Sequence, residues 1–370
     1  MLWIAEVSKP NSFADASRNY LCALSTVEYA DLYIKPVRPI DWRDQDLGPR
    51  GPFAPLQRYR GGDLTKISQN LAVIHHAPTE AYKLAQPGKK NIALTVWESS
   101  LLPADCKFTL NYSFDEVWVP CTWNKAVFEA SGVKKPIYVM PHALGPVTLP
   151  RRPTPSWRLG RYVFYYIGAW NERKNPEAVL RAFLDTFGPK EPVALILKAW
   201  TPERWDDTGN RVVVDPLADR VRRMMADLRI TQSPPVVCVE GVGDESSILQ
   251  LHDWGDCYVS AHRAEGFGLA LARAKQLGRK VIATGYSGPL DFLDPAVDTL
   301  LPYTETDVFG MDFRKGFTGG QKWAEPDFGA LKDAMRAAFD TRAKGSPAGM
   351  ERNAWPVIGD LLKTRLAAHA

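Results

Sequence analysis

The chain has 370 residues, 45% of them hydrophobic and 24% charged, with a formal net charge of +4. That length exceeds what one hydrophobic core usually serves, and the composition is that of an ordinary globular protein, so two domains are expected and extensive disorder is excluded. The mild positive charge permits contact with phosphates or an anionic membrane surface, but it is too small for a dedicated nucleic-acid binder.

In chain order, "MLWIAEVSKP" reads as a strand that starts almost at the first residue; it has no basic segment followed by a long apolar core, so no signal peptide is expected. "SKPNSFADASRNYLCAL" leads into the first helix, and its stretch from Ser12 and Phe13 to Arg18 offers hydroxyls, backbone donors and a cation, without the glycines of a tight phosphate loop. From Pro36 to about Asn70 the chain is rich in Pro, Gly and Arg and is too long for an ordinary connection, which reads as a lid, a binding loop or a disordered tract. The strand candidates "LAVIHH", "NIALTVW", "EVWVP" and "IYVMP" complete a first α/β unit. Four prolines and four arginines then mark residues 145 to 161 as a linker.

Beyond it, "YVFYYIGA", "VALILKA", "PVVCVEG", "DCYVSA" and "KVIATG" alternate with helical patterns, the signature of parallel strands joined by crossover helices. The expected organisation is an N-terminal domain over 1–150, a C-terminal domain over 151–345, and an amphipathic helix over 346–370 that returns to the first domain. Two open α/β domains of this kind direct the carboxyl ends of their sheets at a shared cleft, where ligands of such sheets bind. No run of eighteen apolar residues occurs, so no spanning helix is expected, and the location is expected to be cytoplasmic, with peripheral membrane contact allowed. The five cysteines are scattered and never form C-x-x-C, which reads as reduced thiols rather than disulfides or zinc ligands.

The motifs with chemistry fall at strand ends. Arg173 and Lys174 follow "YYIGA" and precede Pro176, which suits a first helical turn; a guanidinium and an ammonium at a helix N-terminus suit a diphosphate, or else form a plain solvated pair. Glu265 precedes Gly266, Phe267, Gly268 and Leu269, which open the next helix. The glycines let backbone N–H groups approach a ligand, and the carboxylate accepts hydrogen bonds from sugar hydroxyls or simply complements the helix dipole. In "VIATGYSGPLDFL", Ser287 reads as a helix cap. His75 and His76 end one strand of the first unit, and Trp97 with Glu98 ends another, which makes them candidates to face an acceptor. His142 and His262 are further histidines with either a structural or a functional reading. No histidine or acidic spacing suggests a metal.

Taken in order, "FADASRNYL", "WESSLLP", "DEVWVPCTWNKAVFEASGV", "ERKNPEAVLRAF", "AEGFGLALARAKQLGRKVIATGYSG" and "KWAEPDFGALKDAMRAAF" resemble the GT-B glycosyltransferases, specifically the family 4 group of retaining, nucleotide-sugar-dependent enzymes. The resemblance covers most of the chain. It implies two Rossmann-like, doubly wound domains facing a cleft, with Arg173 and Lys174 on the donor diphosphate, Glu265 on the donor sugar, and the backbone of Gly266, Phe267, Gly268 and Leu269 against sugar and phosphate. Three departures stand out. Arg273 occupies the position of a second glutamate that in relatives contacts the ribose and is expected to engage the nucleotide differently, Trp97 replaces a histidine, and Ala169 replaces an arginine after the strand glycine, with Arg173 serving instead.

The implied reaction is transfer of a hexose-like sugar, with retention, from a UDP- or GDP-linked donor to an acceptor hydroxyl, with neither a cofactor nor a metal. Ser12 and Phe13 are expected near the nucleotide sugar, and His76 and Glu98 are expected to approach the reacting centre on closure. The acceptor is expected to be a glycan, a glycolipid, or hydroxymethylated DNA contacted by Arg38, Arg43, Arg50, Arg58 and Arg60. A non-catalytic nucleotide-sugar-binding or scaffolding protein of the same fold is the alternative.

Overall fold

The computed structural model describes residues 1–7, 11–27, 32–37, 47, 51–59, 71–75, 81–150, 153–200, 203–205, 211–213, 215–241, 243–311 and 316–369. The chain divides into two compact units. One comprises Met1–Val147, Asp312–Lys322 and Gly349–Ala370; the other comprises Thr148–Met311 and Trp323–Ala348.

The first unit contains β1 (Leu2–Ala5), α1 (Ser12–Thr26), β2 (Tyr33–Pro36), β3 (Leu71–His75), β4 (Lys90–Leu94), α2 (Ala104–Ser113), β5 (Glu116–Val119), α3 (Thr122–Ala130) and β6 (Ile137–Val139). Its six strands are all parallel, in the order β2-β1-β3-β4-β5-β6. Strands buried on both faces need nearly continuous apolar runs, which is why "LWIA" and "LAVIH" are buried throughout rather than alternating. Asn11 caps α1, accepting from the Ala14 N–H at 2.9 Å. The helix near the C-terminus lies on α1, so closely that a Cβ at Gly359 would sit 2.4 Å from the Ala23 carbonyl oxygen. Asn19 Oδ1 accepts from the Trp355 indole and from the Gly145 N–H, both at 2.9 Å, tying that helix to the end of the sheet. Phe317 stacks on Trp97 with centroids 5.1 Å apart, and Ser99 Oγ meets Gln321 Oε1 at 2.9 Å; this is why the segment around 317–321 belongs to the first unit, within a span the sequence reading gives to the second.

The second unit contains β7 (Tyr162–Ala169), α4 (Pro176–Thr186), β8 (Val193–Trp200), the small antiparallel pair β9 (Glu203–Trp205) and β10 (Arg211–Val213), α5 (Leu217–Asp227), β11 (Val236–Val239), α6 (Glu245–Trp254), β12 (Cys257–Ser260), α7 (Leu269–Gln276), β13 (Lys280–Thr284) and β14 (Thr299–Leu301). β15 (Tyr303–Asp307) pairs with β16 (Lys322–Pro326), followed by α8 (Phe328–Asp340) and α9 (Trp355–Ala367), the helix seated on α1. The main sheet runs parallel in the order β11-β8-β7-β12-β13-β14, so the strand order reverses between β7 and β12. Ligands of open α/β sheets bind at such a reversal. Here β12 pairs with β7 only at Cys257↔Phe164 and Tyr258↔Tyr165, leaving the last four residues of β7 out of that ladder. The Tyr258 hydroxyl donates to the Ile167 carbonyl at 2.9 Å in its place.

Ten strands stand where the sequence reading puts them. Among the described residues six are additional: the two-stranded pairs β9–β10 and β15–β16, and, within the main sheets, β2 and β14. β2 and β14 are sheet edges of three or four residues, only partly buried, and so lack the apolar run that marks an inner strand.

Candidate active site

At the strand reversal of the second unit, Arg173 and Lys174 leave the turn after β7, and Glu265 leaves the turn after β12. Glu265 is only 5% exposed. Its carboxylate accepts from Arg173 Nη1 at 3.3 Å and pairs through the other oxygen with Lys174 Nζ. Arg173, 4% exposed, also donates to the Ala264 carbonyl at 2.7 Å. Burial alone would raise the Glu265 carboxyl's pKa, but the charges of Lys174 and Arg173 outweigh it and hold it down at about 2. Glu265 is therefore a fixed anion, with acceptor capacity and no proton to give.

The two turns are locked to each other through their backbones. Arg263 N–H donates to the Arg173 carbonyl at 2.8 Å, and the Arg263 guanidinium donates to the Glu172 carbonyl while gripping Glu325 with two nitrogens, at 2.5 and 3.1 Å. Tyr166 sends its hydroxyl to the Ala169 carbonyl at 2.9 Å, passing over Gly168 so closely that a Cβ there would lie 2.3 Å from that oxygen. Asn175 enters α4 in the left-handed region at φ 51, one residue before Pro176 in the first turn. Gly268 enters α7 at φ 87, a conformation open to glycine, and Phe267 turns inward onto Phe292 with centroids 5.2 Å apart. Gly266 is buried and Leu269 half-buried at the first turn of α7.

Arg273 lies one turn further along α7. It meets Glu245 Oε1 at 3.3 Å and Gln276 Oε1 at 2.7 Å. His262 is structural: a carbonyl only accepts, so its Nε2 carries the proton and donates to the Tyr286 carbonyl at 3.2 Å, leaving Nδ1 to accept from Ser260 Oγ at 3.0 Å. Burial lowers its pKa to about 4, so it is neutral at physiological pH.

In the first unit, the order β2-β1-β3 places another reversal between β1 and β3. His75, at the end of β3, meets Ser17 Oγ through Nδ1 at 2.5 Å and lies beside the Phe13 ring, with centroids 5.5 Å apart. Ser12, at the start of α1, is exposed. Tyr20 donates to the Met140 carbonyl at 2.7 Å, so His142 Nδ1 donates to the Tyr20 oxygen at 2.9 Å, and burial lowers the His142 pKa to about 3. Trp97 is enclosed, with its indole N–H bonded to Ser99 Oγ and the Leu101 carbonyl; Glu98 beside it is half-buried. His76 lies outside the described residues, as do Arg38, Arg43, Arg50 and Arg60, and the Arg58 side chain is not described.

Two residues that matter to the geometry were not singled out for it by sequence. Arg263 acts through backbone and side-chain bonds to segments far away in the chain. The Ser287 hydroxyl does not cap the short helix it precedes; it accepts from the Glu265 N–H at 2.9 Å, while the Ser287 carbonyl accepts from the Leu290 N–H at 3.1 Å. The "GYSG" turn gives a signal only as a serine between glycines after a strand.

No protein-family model matches the chain, and no curated protein matches its sequence. Solved structures do. HepE from Anabaena, solved with UDP and glucose, superposes with a TM-score of 0.64 at 12% identity, covering 99% of both chains. Sucrose-phosphate synthase from Thermosynechococcus elongatus gives 0.67 at 15% identity, covering 100% of this chain and 99% of that one. The lipopolysaccharide outer core galactosyltransferase WaaB gives 0.61 at 13%, with 100% and 99% covered. The chain has the GT-B fold. The likeness at these identities is one of architecture, two Rossmann-like domains over the full length, which is the fold class expected from the sequence motifs. Among the described residues, no helix is long and apolar enough to cross a membrane.

Proposed function

We propose that this protein is a glycosyltransferase that moves a hexose-like sugar from a UDP- or GDP-linked donor to an acceptor hydroxyl with retention of configuration. The observation that carries this reading is the convergence of Arg173, Lys174 and Glu265, from two different strand ends, on the reversal point of the second sheet. Cleavage of the sugar–phosphate bond leaves charge on the departing diphosphate, and two preorganised cations beside the start of α4 stabilise it as it develops. Glu265, fixed as an anion, accepts hydrogen bonds from the sugar hydroxyls and orients the anomeric carbon. It does not serve as a general acid, since its proton is gone far above the pH where its carboxyl titrates. Retention follows when the acceptor attacks on the face the diphosphate leaves, with a phosphate oxygen taking the acceptor proton.

Among acceptors, one carried at a lipid surface fits best. Phe108 and Tyr112 on α2 are 60% and 76% exposed and stack on each other at 4.2 Å, with exposed Lys107 on the same helix and exposed Lys134 held to α2 through Asn111. Aromatic rings flanked by lysines suit the headgroup level of an anionic bilayer.

The test is a turnover screen with UDP-, GDP- and ADP-sugars, in solution and with glycolipid acceptors in anionic vesicles. Glu265→Gln and Lys174→Ala are expected to lower kcat/KM at least 100-fold in both formats. A Phe108→Ser/Tyr112→Ser pair is expected to lower it only on vesicles. Turnover by the two site variants at the parent rate overturns the assignment, and nucleotide-sugar binding without turnover under any condition supports a non-catalytic binding protein instead.

A further inference from the structure

Ser287 carries a backbone conformation that its side chain makes costly. At φ 66, ψ −153 it lies in a region populated almost only by glycine, and it is 1% exposed. Glycines stand two residues before it and immediately after it, so the turn is already rich in residues free to adopt such angles. A serine at the strained position itself calls for a reason, and the hydroxyl provides one. It accepts the Glu265 N–H at 2.9 Å, while the next residue, Gly288, donates its N–H to the Glu265 carbonyl at 3.0 Å. Both peptide groups of Glu265 are thus held by adjacent residues of one turn. The approach is as close as backbones allow, since a Cβ at Gly288 would lie 2.4 Å from the Gly266 carbonyl oxygen. The preceding residue joins in, with the Tyr286 carbonyl accepting from His262 at 3.2 Å. Glycine at 287 would relax the backbone but could not accept the Glu265 N–H; alanine would keep the strain and lose the bond as well.

We infer that Ser287 is a positioning residue for the donor sugar: its strained turn fixes the backbone of Glu265 so that the carboxylate stands ready between the two cations and the sugar hydroxyls. The inference rests on the donor-site reading above. A residue that sets Glu265 alone affects recognition of the sugar and not of the nucleoside diphosphate, which distinguishes it from a residue that merely supports the fold.

The experiment compares Ser287→Gly and Ser287→Ala with the parent, using Glu265→Gln and Lys174→Ala as controls, on the full chain. Ligand-free amide hydrogen exchange is expected to show at least tenfold faster exchange at Glu265 in both serine variants. Melting should drop in Ser287→Ala and stay within a few degrees of the parent in Ser287→Gly, where relief of strain offsets the lost bond. With UDP against UDP-glucose, and GDP against GDP-mannose, Ser287→Gly should bind the bare nucleotide within twofold of the parent and lose at least tenfold in kcat/KM for the sugar nucleotide. Parent-like kcat/KM in Ser287→Gly, or equal weakening of nucleotide and sugar nucleotide, overturns the inference. If instead the Glu265 and Lys174 controls behave like the parent, the donor-site reading has failed; exchange at Glu265 then decides, because continued protection in Ser287→Gly refutes the clamp and loss of protection upholds it.

Discussion

Glu265 is held between Arg173 and Lys174 in a nearly dry environment, and removing its charge has a thermodynamic consequence as well as a kinetic one. Breaking a buried ion pair by deleting one partner costs about 3 kcal/mol, because the remaining charge has lost its compensation. Glu265→Gln is therefore expected to destabilise the ligand-free protein by about that amount at pH 7, measured by denaturant unfolding. The sign with pH follows from the lowered carboxyl pKa. In the unfolded chain a glutamate titrates near 4.3, in the folded one Glu265 titrates at about 2, so its stabilisation is complete above the first value and lost as pH falls through the second. The gap between parent and variant should be constant above about pH 5 and close toward pH 2. A gap that persists at pH 2 would show that the loss comes from packing and not from charge. The triad was legible in the sequence because each member sits at a strand end beside a helix start. Arg263 and Ser287 were not, because one works through partners more than sixty residues away in the chain and the other through a backbone angle that composition does not reveal.

At the scale of elements, the inner strands declare themselves by apolar runs, whereas β2 and β14, at sheet edges, do not. The docking of α9 on α1 was legible only as an amphipathic period; the close approach at its middle is made at Gly359, where a methyl group would meet the Ala23 carbonyl. Gly359→Ala exchanges a helix-weakening residue for a favourable one, which by itself would stabilise by up to about 1 kcal/mol. Overpacking against a backbone atom costs about 1–3 kcal/mol, so steric crowding wins and the melting temperature should fall. A rise would mean that α9 slides on α1 without loss. The variant should leave the nucleotide binding proposed for the second unit untouched, since α9 belongs to the first.

At the scale of the molecule, three buried histidines distributed over both units contribute to the response to acid. Burial lowers His142 and His252 to about 3, with Arg273 and Arg279 adding to the effect on His252, and lowers His262 to about 4. Each takes up a proton near pH 6.5 once unfolded, so stability is full above that value and lost as pH falls through the folded values. Each contributes a slope of up to about 1.4 kcal/mol per pH unit between roughly 6.5 and 4. Thermal melts from pH 7.5 to 4 should be level at first and then fall steeply, and a level curve throughout would mean that the imidazoles are hydrated in the folded state.

The chain passes from one unit to the other four times, after Val147, Met311, Lys322 and Ala348. A fragment ending near residue 150 would lack Phe317 and Gln321, leaving Trp97 and Ser99 uncovered, and would lack α9, baring one side of α1. The halves are interleaved in the gene although each is compact in space, so neither can be transplanted as a single cassette. A chimera that borrows a new first unit has to replace three separate stretches of sequence together, and homologous recombination with one crossover at the linker would yield two misassembled products.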